Sequence, residues 1–213
     1  LRLNKARHPL IDKKKAVPIS VHLGEEFDTL IVTDANGDPM VQEVAILFED
    51  YLWRGNRSTK MSADNFNAFK SNNYPSLAKI GLGIHFNEEA LWRVQAKRPL
   101  NVQYGMDTAV MFIDLNPGIT ESTLRHQLAT PGIKGIVLKT FGSGNAPTAD
   151  WFRSAIREAV ERGIVILNVT QCVNGGVHAR RYATGNMLAD TGVVSGHDIT
   201  CEAAITKMMY LFG

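Results

Sequence analysis

Eight residues, WRGNRSTK at positions 53–60, place two arginines, a lysine, two hydroxyls and an amide directly after the apolar run VAILFEDYL at 44–52. A lysine held among polar groups can relay a proton or tune a neighbouring hydroxyl, which makes Lys60 a candidate for acid–base chemistry. By spacing alone it reads equally as a solvated turn residue at the end of a strand. Two further segments gather polar groups after apolar runs. Lys139-Thr140-Phe141 leads into Gly142-Ser143-Gly144-Asn145, and Asn168-Val169-Thr170-Gln171-Cys172 leads into the loop VNGGVHARR at 173–181. Amides, hydroxyls and glycines of this kind recognise small polar ligands through neutral hydrogen bonds.

Each group also has a structural reading. Gly142 and Gly144 suit a tight strand-to-helix turn, Asn145 ahead of Ala146-Pro147 suits a helix N-cap, and Cys172 suits a small core hydrophobe. The glycines and basic residues of 175–181 fit a mobile loop or a flap that closes over a site. A third glycine and an acidic residue at the end of the next strand, which a dinucleotide fingerprint requires, are both missing. There is no G-x-S-x-G elbow and no Walker loop. His85, His178 and His197 share no helical spacing, and Cys172 and Cys201 have no CxxC context, so metal ligation is not expected.

The elements that must carry these groups fall into three zones. Residues 17–23 and 28–33 resemble short strands, and DANGDP at 34–39 is a turn. Residues 41–86 read as strand, polar turn and helix, with Ser62, Asp64, Phe66 and Phe69 marking a short capped helix that ends near Tyr74-Pro75. Residues 88–105 lack a sustained period and read as a linker. From Met106 onward, apolar strands at 108–114, 135–141 and 164–169 alternate with helices at 119–128 and 148–162. A helix around Leu188, a short strand at 192–195 and a final helix from Ile199 follow, the last capped by Thr200 or Asp198. Strands that are continuously apolar and alternate with helices imply a parallel sheet covered on both faces. The expected fold is α/β, with a Rossmann-like parallel sheet of three or four strands in a C-terminal domain (106–213). It is preceded by the trailing part of an α/β N-terminal domain (1–87, with 1–33 unassigned).

Composition bounds the functional classes. With 45% hydrophobic and 21% charged residues among 213, the chain has an ordinary globular balance. A formal net charge of +2 with dispersed basic residues gives no electrostatic footprint for nucleic acid or membrane. No segment approaches the roughly 18 apolar residues of a membrane span. The two cysteines read as free, mostly buried thiols in a reducing cytoplasm. The chain opens without methionine and stops in an apolar helical run, so a piece of a longer protein is expected.

The motifs EVAILFEDYLWRGNRSTK (43–60), FNAFKSNNYPSLA (66–78), IVLKTFGSGNAP (136–147), GIVILNVTQC (163–172), YATGN (182–186) and GHDITCEAAITK (196–207) resemble, in this order, the bacterial type I cytoplasmic L-asparaginases. The resemblance implies a two-domain α/β enzyme, a homodimer or homotetramer, that hydrolyses L-asparagine to L-aspartate and ammonia without metal or cofactor. It implies that Lys60 belongs to a proton-handling group with a threonine and an aspartate, and that Asn145 reaches a neighbouring subunit's site. It also implies a regulatory asparagine site at Thr59, Lys139, Thr170 and Cys172, although the family often has arginine where this chain has Lys139. The family's T-G-G-T-I and H-G-T-D-T segments, which bear the nucleophile and its partners, occur nowhere in the 213 residues. The expectation is therefore a C-terminal asparaginase portion that is inactive alone. The alternatives are an amidotransferase subunit of the same superfamily, a non-catalytic amino-acid-binding or assembly module, and, least favoured, a nucleotide-binding domain.

Overall fold

The computed structural model describes residues 34–64, 68–95, 102–178 and 188–213, and the chain divides between Leu100 and Asn101 into two compact units. The strands expected at 17–23 and 28–33, the YATGN motif and the end of the 173–181 loop lie outside the described residues.

The described part of the first unit is built from strands. β1 (Ala45–Phe48) and β2 (Tyr51–Arg54) form a hairpin, with Phe48 opposite Tyr51. The apolar run that reads as one strand is therefore folded back on itself at Glu49-Asp50, where Glu49 takes φ +52°. A 3₁₀ turn (Gly55–Arg57) leads to β3 (Thr59–Lys60), which pairs with β4 (Phe69–Lys70). β5 (Ala78–Ile80) and β6 (Ile84–Phe86) complete an antiparallel sheet of order β1-β2-β5-β6. This corrects the expectation of a helix reaching Phe69. Phe69 is in a strand and packs its ring 5.1 Å from that of Phe48, a long-range contact that outweighs weak local helix propensity. Leu52, Leu77, Ala78, Ala90 and Leu91 are buried together as the core of this unit.

The second unit follows the parallel pattern. β7 (Val110–Asp114), β8 (Gly135–Thr140), β9 (Val165–Thr170) and β10 (Val194–Ser195) lie in the order β10-β9-β8-β7, all parallel. α1 (Glu121–Leu128) is capped by Thr120, whose hydroxyl accepts the Thr123 N–H at 3.2 Å. α2 (Asp150–Glu161) ends one residue before Arg162-Gly163, with Gly163 at φ +89° as its stop. α3 (Cys201–Phe212) is capped by Thr200, which accepts the Ala203 N–H at 3.1 Å.

Side chains alternate across the sheet because successive residues of a strand point to opposite faces. Ile136 and Leu138 of β8 join Ile113, Ile166, Leu124, Phe152 and Ile156 in the core with α1 and α2. Val137, between them, joins Val169, Ala204 and Met208 in the core with α3. Gly135 has no side chain because a Cβ there would lie 2.5 Å from Met208 Cε and 2.6 Å from Phe212 Cε2. The sheet is thus covered on both faces, and its carboxyl edge is left to carry the polar loops.

Candidate functional site

In the first unit, the cations of the WRGNRSTK segment divide sharply. Arg54 forms an ion pair with Glu43, the two side chains being 16% and 10% exposed. It also donates to the Ala90 carbonyl at 3.0 Å and lies 4.2 Å over the Tyr74 ring. Arg57 lies 5.7 Å over the same ring and donates to the Asn73 carbonyl at 3.4 Å. Tyr74 is itself fixed by its hydroxyl, which donates to the Ala90 carbonyl at 2.9 Å. The buried Ser58 hydroxyl turns back to donate to the Arg54 carbonyl at 2.7 Å. Gly55 permits this compact turn: its N–H donates to the Val44 carbonyl at 2.9 Å, and a Cβ there would sit 3.1 Å from that oxygen. The two arginines and Ser58 are therefore bound into the fold. Thr59 is half-buried on β3, and Lys60 is exposed opposite Phe69. Its ammonium makes no ion pair with the described residues.

In the second unit, Lys139, Asn145, Thr170 and Cys172 lie at the carboxyl edge of β8 and β9. Lys139 is level with Asp114 in the ladder and forms an ion pair with it at 2.5 Å. The bond to Asp114 holds the Lys139 ammonium above the ordinary lysine range, against the opposing effect of partial burial. Asp114 is not among the site residues expected from the sequence, and its place as the last residue of β7 is the signal that points to it. Gln171 Nε2 donates to the Leu115 and Lys139 carbonyls at 2.5 and 3.1 Å, closing the edge between β7 and β9.

Beneath the edge is a small polar layer. Thr140, Asn168 and Thr170 are all buried. The Thr140 hydroxyl donates to Asn168 Oδ1 at 2.6 Å, and the Thr170 hydroxyl donates to the Gly142 carbonyl at 2.5 Å. Asn145 is half-buried and forms a bridge with Phe141, each N–H donating to the other's carbonyl. It does not cap α2, whose N-cap is Ala149 with no side-chain bond. The four intervening residues carry Asn145 away from the helix start, which removes the structural reason expected for an amide there.

The cysteines also depart from expectation. Both are free, but Cys172 is exposed and Cys201 half-buried. Cys172 lies just past β9, where the chain leaves the core, so its side chain has no covering layer. Burial pushes the Cys201 thiol up, with Lys139 acting in the opposite sense. Among the described residues, no group of three or more His, Cys, Asp or Glu side chains is arranged to hold a metal ion, and no helix is long and apolar enough to cross a membrane.

Residues 29–92 match the asparaginase N-terminal family, and residues 109–213 match the glutaminase/asparaginase C-terminal domain. L-asparaginase 1 of Escherichia coli is 38% identical over 180 residues, covering 80% of this chain and 50% of that protein. The 60 kDa lysophospholipase of Homo sapiens is 42% identical over 177 residues, covering 83% of this chain and 30% of that protein. Among solved structures, L-asparaginase I from Vibrio cholerae superposes with a TM-score of 0.73 at 39% identity, covering 81% of this chain and 52% of that one. The chain thus spans about half or less of the length of these relatives.

Proposed function

Because the chain belongs to the glutaminase/asparaginase family, we propose that it is part of an L-asparaginase, a cytoplasmic enzyme that hydrolyses the side-chain amide of L-asparagine to L-aspartate and ammonia. The observation that carries this reading is the state of Lys60. Its two neighbouring cations are bound to Glu43 and Tyr74, and Lys60 alone of the motif's three stands exposed at the end of a short ribbon. In the proposed mechanism Lys60 shares a proton with a threonine and an aspartate of the family's upstream segments, and so tunes the hydroxyl that handles the substrate. Asn145 offers an amide to the substrate bound at a neighbouring subunit, which requires a homodimer or homotetramer. On the second unit, Lys139, Thr170 and Cys172 are positions of a regulatory asparagine site. At that site Lys139 would act as a point charge rather than as a bidentate fork.

Without the T-G-G-T-I and H-G-T-D-T segments the 213-residue chain does not turn over asparagine alone. Sustained ammonia release by the purified chain, abolished by Lys60→Ala, would overturn that statement. Joined to the segments that bear those motifs, the protein should release ammonia from asparagine, and Lys60→Ala should lower kcat by about 10²-fold or more.

A second reading is favoured by the identity to a protein named as a lysophospholipase. Amide and ester hydrolysis both add a hydroxyl oxygen to a carbonyl, so the same framework could serve either. The polar layer of Thr140, Asn168 and Thr170 under the edge suits an amino-acid amide better than an acyl chain, which needs an apolar channel. Fatty-acid release from lysophosphatidylcholine with no ammonia from asparagine would decide for the second reading.

A further inference from the structure

We infer that Thr170 is a positioning residue for the turn that carries Asn145, and that its single hydroxyl proton couples the edge of β9 to that turn. The inference rests on the reading of Asn145 as a substrate-contacting group. After β8 the chain reverses over Phe141–Asn145. Asn145 N–H donates to the Phe141 carbonyl at 2.8 Å, Gly144 N–H to the same oxygen at 3.0 Å, and Phe141 N–H to the Asn145 carbonyl at 2.9 Å. The turn takes φ values of +50° at Gly142 and +110° at Gly144, and the described bonds within it join Phe141, Gly144 and Asn145.

Among the described residues, two further bonds hold the middle of the turn. The Ser143 carbonyl accepts the His178 N–H at 3.0 Å. The Gly142 carbonyl accepts the Thr170 hydroxyl at 2.5 Å, while the same hydroxyl oxygen accepts the Cys172 N–H at 2.9 Å. Of these two bonds, the second depends on a side chain. Val177 closes the other side, where a Cβ on Gly144 would lie 2.8 Å from Val177 Cγ1.

A threonine hydroxyl has one proton to donate, and here Gly142 receives it. Any acceptor that reaches the buried Thr170 from the edge must take that proton from Gly142, and the turn bearing Asn145 then loses one of these two bonds. Thr170 thereby links occupancy of the edge to the placement of Asn145 through a single bond, without a change in the sheet.

The test uses amide hydrogen exchange on the 213-residue chain and its Thr170→Val and Thr170→Ser variants. In the valine variant, which keeps the shape and removes the donor, exchange at Gly144 and Asn145 should accelerate by about tenfold or more, while Val137 and Ile166 in the sheet remain within about twofold. The serine variant should restore protection. Unchanged exchange at Gly144 and Asn145 would overturn the inference, as would equal acceleration throughout the sheet. If the valine variant does not fold, the Thr170 hydroxyl proton of the native chain decides. It should be slow to exchange with water and close to Gly142 in the NMR spectrum, and a rapidly exchanging proton would overturn the inference. These readouts report on the turn itself, so they stay independent of whether Asn145→Ala weakens asparagine hydrolysis.

Discussion

Arg54 and Lys60 are six positions apart and serve opposite ends. Arg54 is fixed by Glu43, Tyr74 and the Ala90 carbonyl, so its removal leaves the nearly buried Glu43 carboxylate without its counter-ion, with the Trp92 N–H still donating to it at 2.8 Å. Removing one partner of such a pair is strongly destabilising, and Arg54→Ala should cost about 2–3 kcal/mol by urea unfolding, discounted for the residual exposure of the pair. A cost within about 0.5 kcal/mol would mean that the Trp92 N–H alone satisfies Glu43. At the other edge, the bond from Lys139 to Asp114 raises the lysine pKa. A raised lysine contributes stability that is fully present below the unfolded value of about 10.4 and is lost as pH rises through the folded value. The Asp114 contact should therefore be insensitive to pH across neutrality, and an NMR titration of Lys139 Nζ should show a midpoint above that of ordinary lysine. The two thiols give a third outcome at this scale. Thiolate character and access set reactivity, so a disulfide reagent at neutral pH should modify exposed Cys172 about tenfold or more ahead of half-buried Cys201. Modification of Cys201 first would contradict the burial described.

At the scale of elements, two glycines with positive φ separate conformational strain from steric conflict. Gly163 stops α2 at φ +89° with nothing within 4 Å of a built Cβ, so Gly163→Ala should cost only the left-handed penalty of about 1 kcal/mol. Gly144 has φ +110° and Val177 at 2.8 Å, so Gly144→Ala should cost about 2–4 kcal/mol, the strain and the overpacking together. In a double-mutant cycle Val177→Ala should recover the steric part and leave the strain. Additive costs in that cycle would show that Val177 does not close the turn. The helices of the second unit were legible because their signals are local: Thr120 and Thr200 each accept the N–H three residues on. The β1–β2 hairpin was not legible, because the charged pair Glu49-Asp50 at its reversal carries none of the glycine signal that usually marks one.

At the scale of the whole molecule, each unit has a hydrophobic core of its own among the described residues. Ile113, Leu138, Phe152 and Ile166 are buried within the second unit, with α3 covering the opposite face through Ala204 and Met208. Residues 101–213 alone should therefore unfold in one cooperative transition by circular dichroism. A broad, non-cooperative loss of helix would mean that the unit depends on the rest of the chain.

The amino-acid order by itself determined the parallel α/β unit, since buried strands, amphipathic helices and their caps are written in neighbouring residues with periods of two and 3.6. Matched to the family's motifs, it also singled out Thr59, Lys60 and Asn145 and the edge positions Lys139, Thr170 and Cys172. Only the tertiary structure decided which polar groups meet: Arg54 with Glu43, Lys139 with Asp114, Thr170 with Gly142. These partners are 11, 25 and 28 positions apart, and their meeting depends on strand register and chain reversal, which no local propensity encodes.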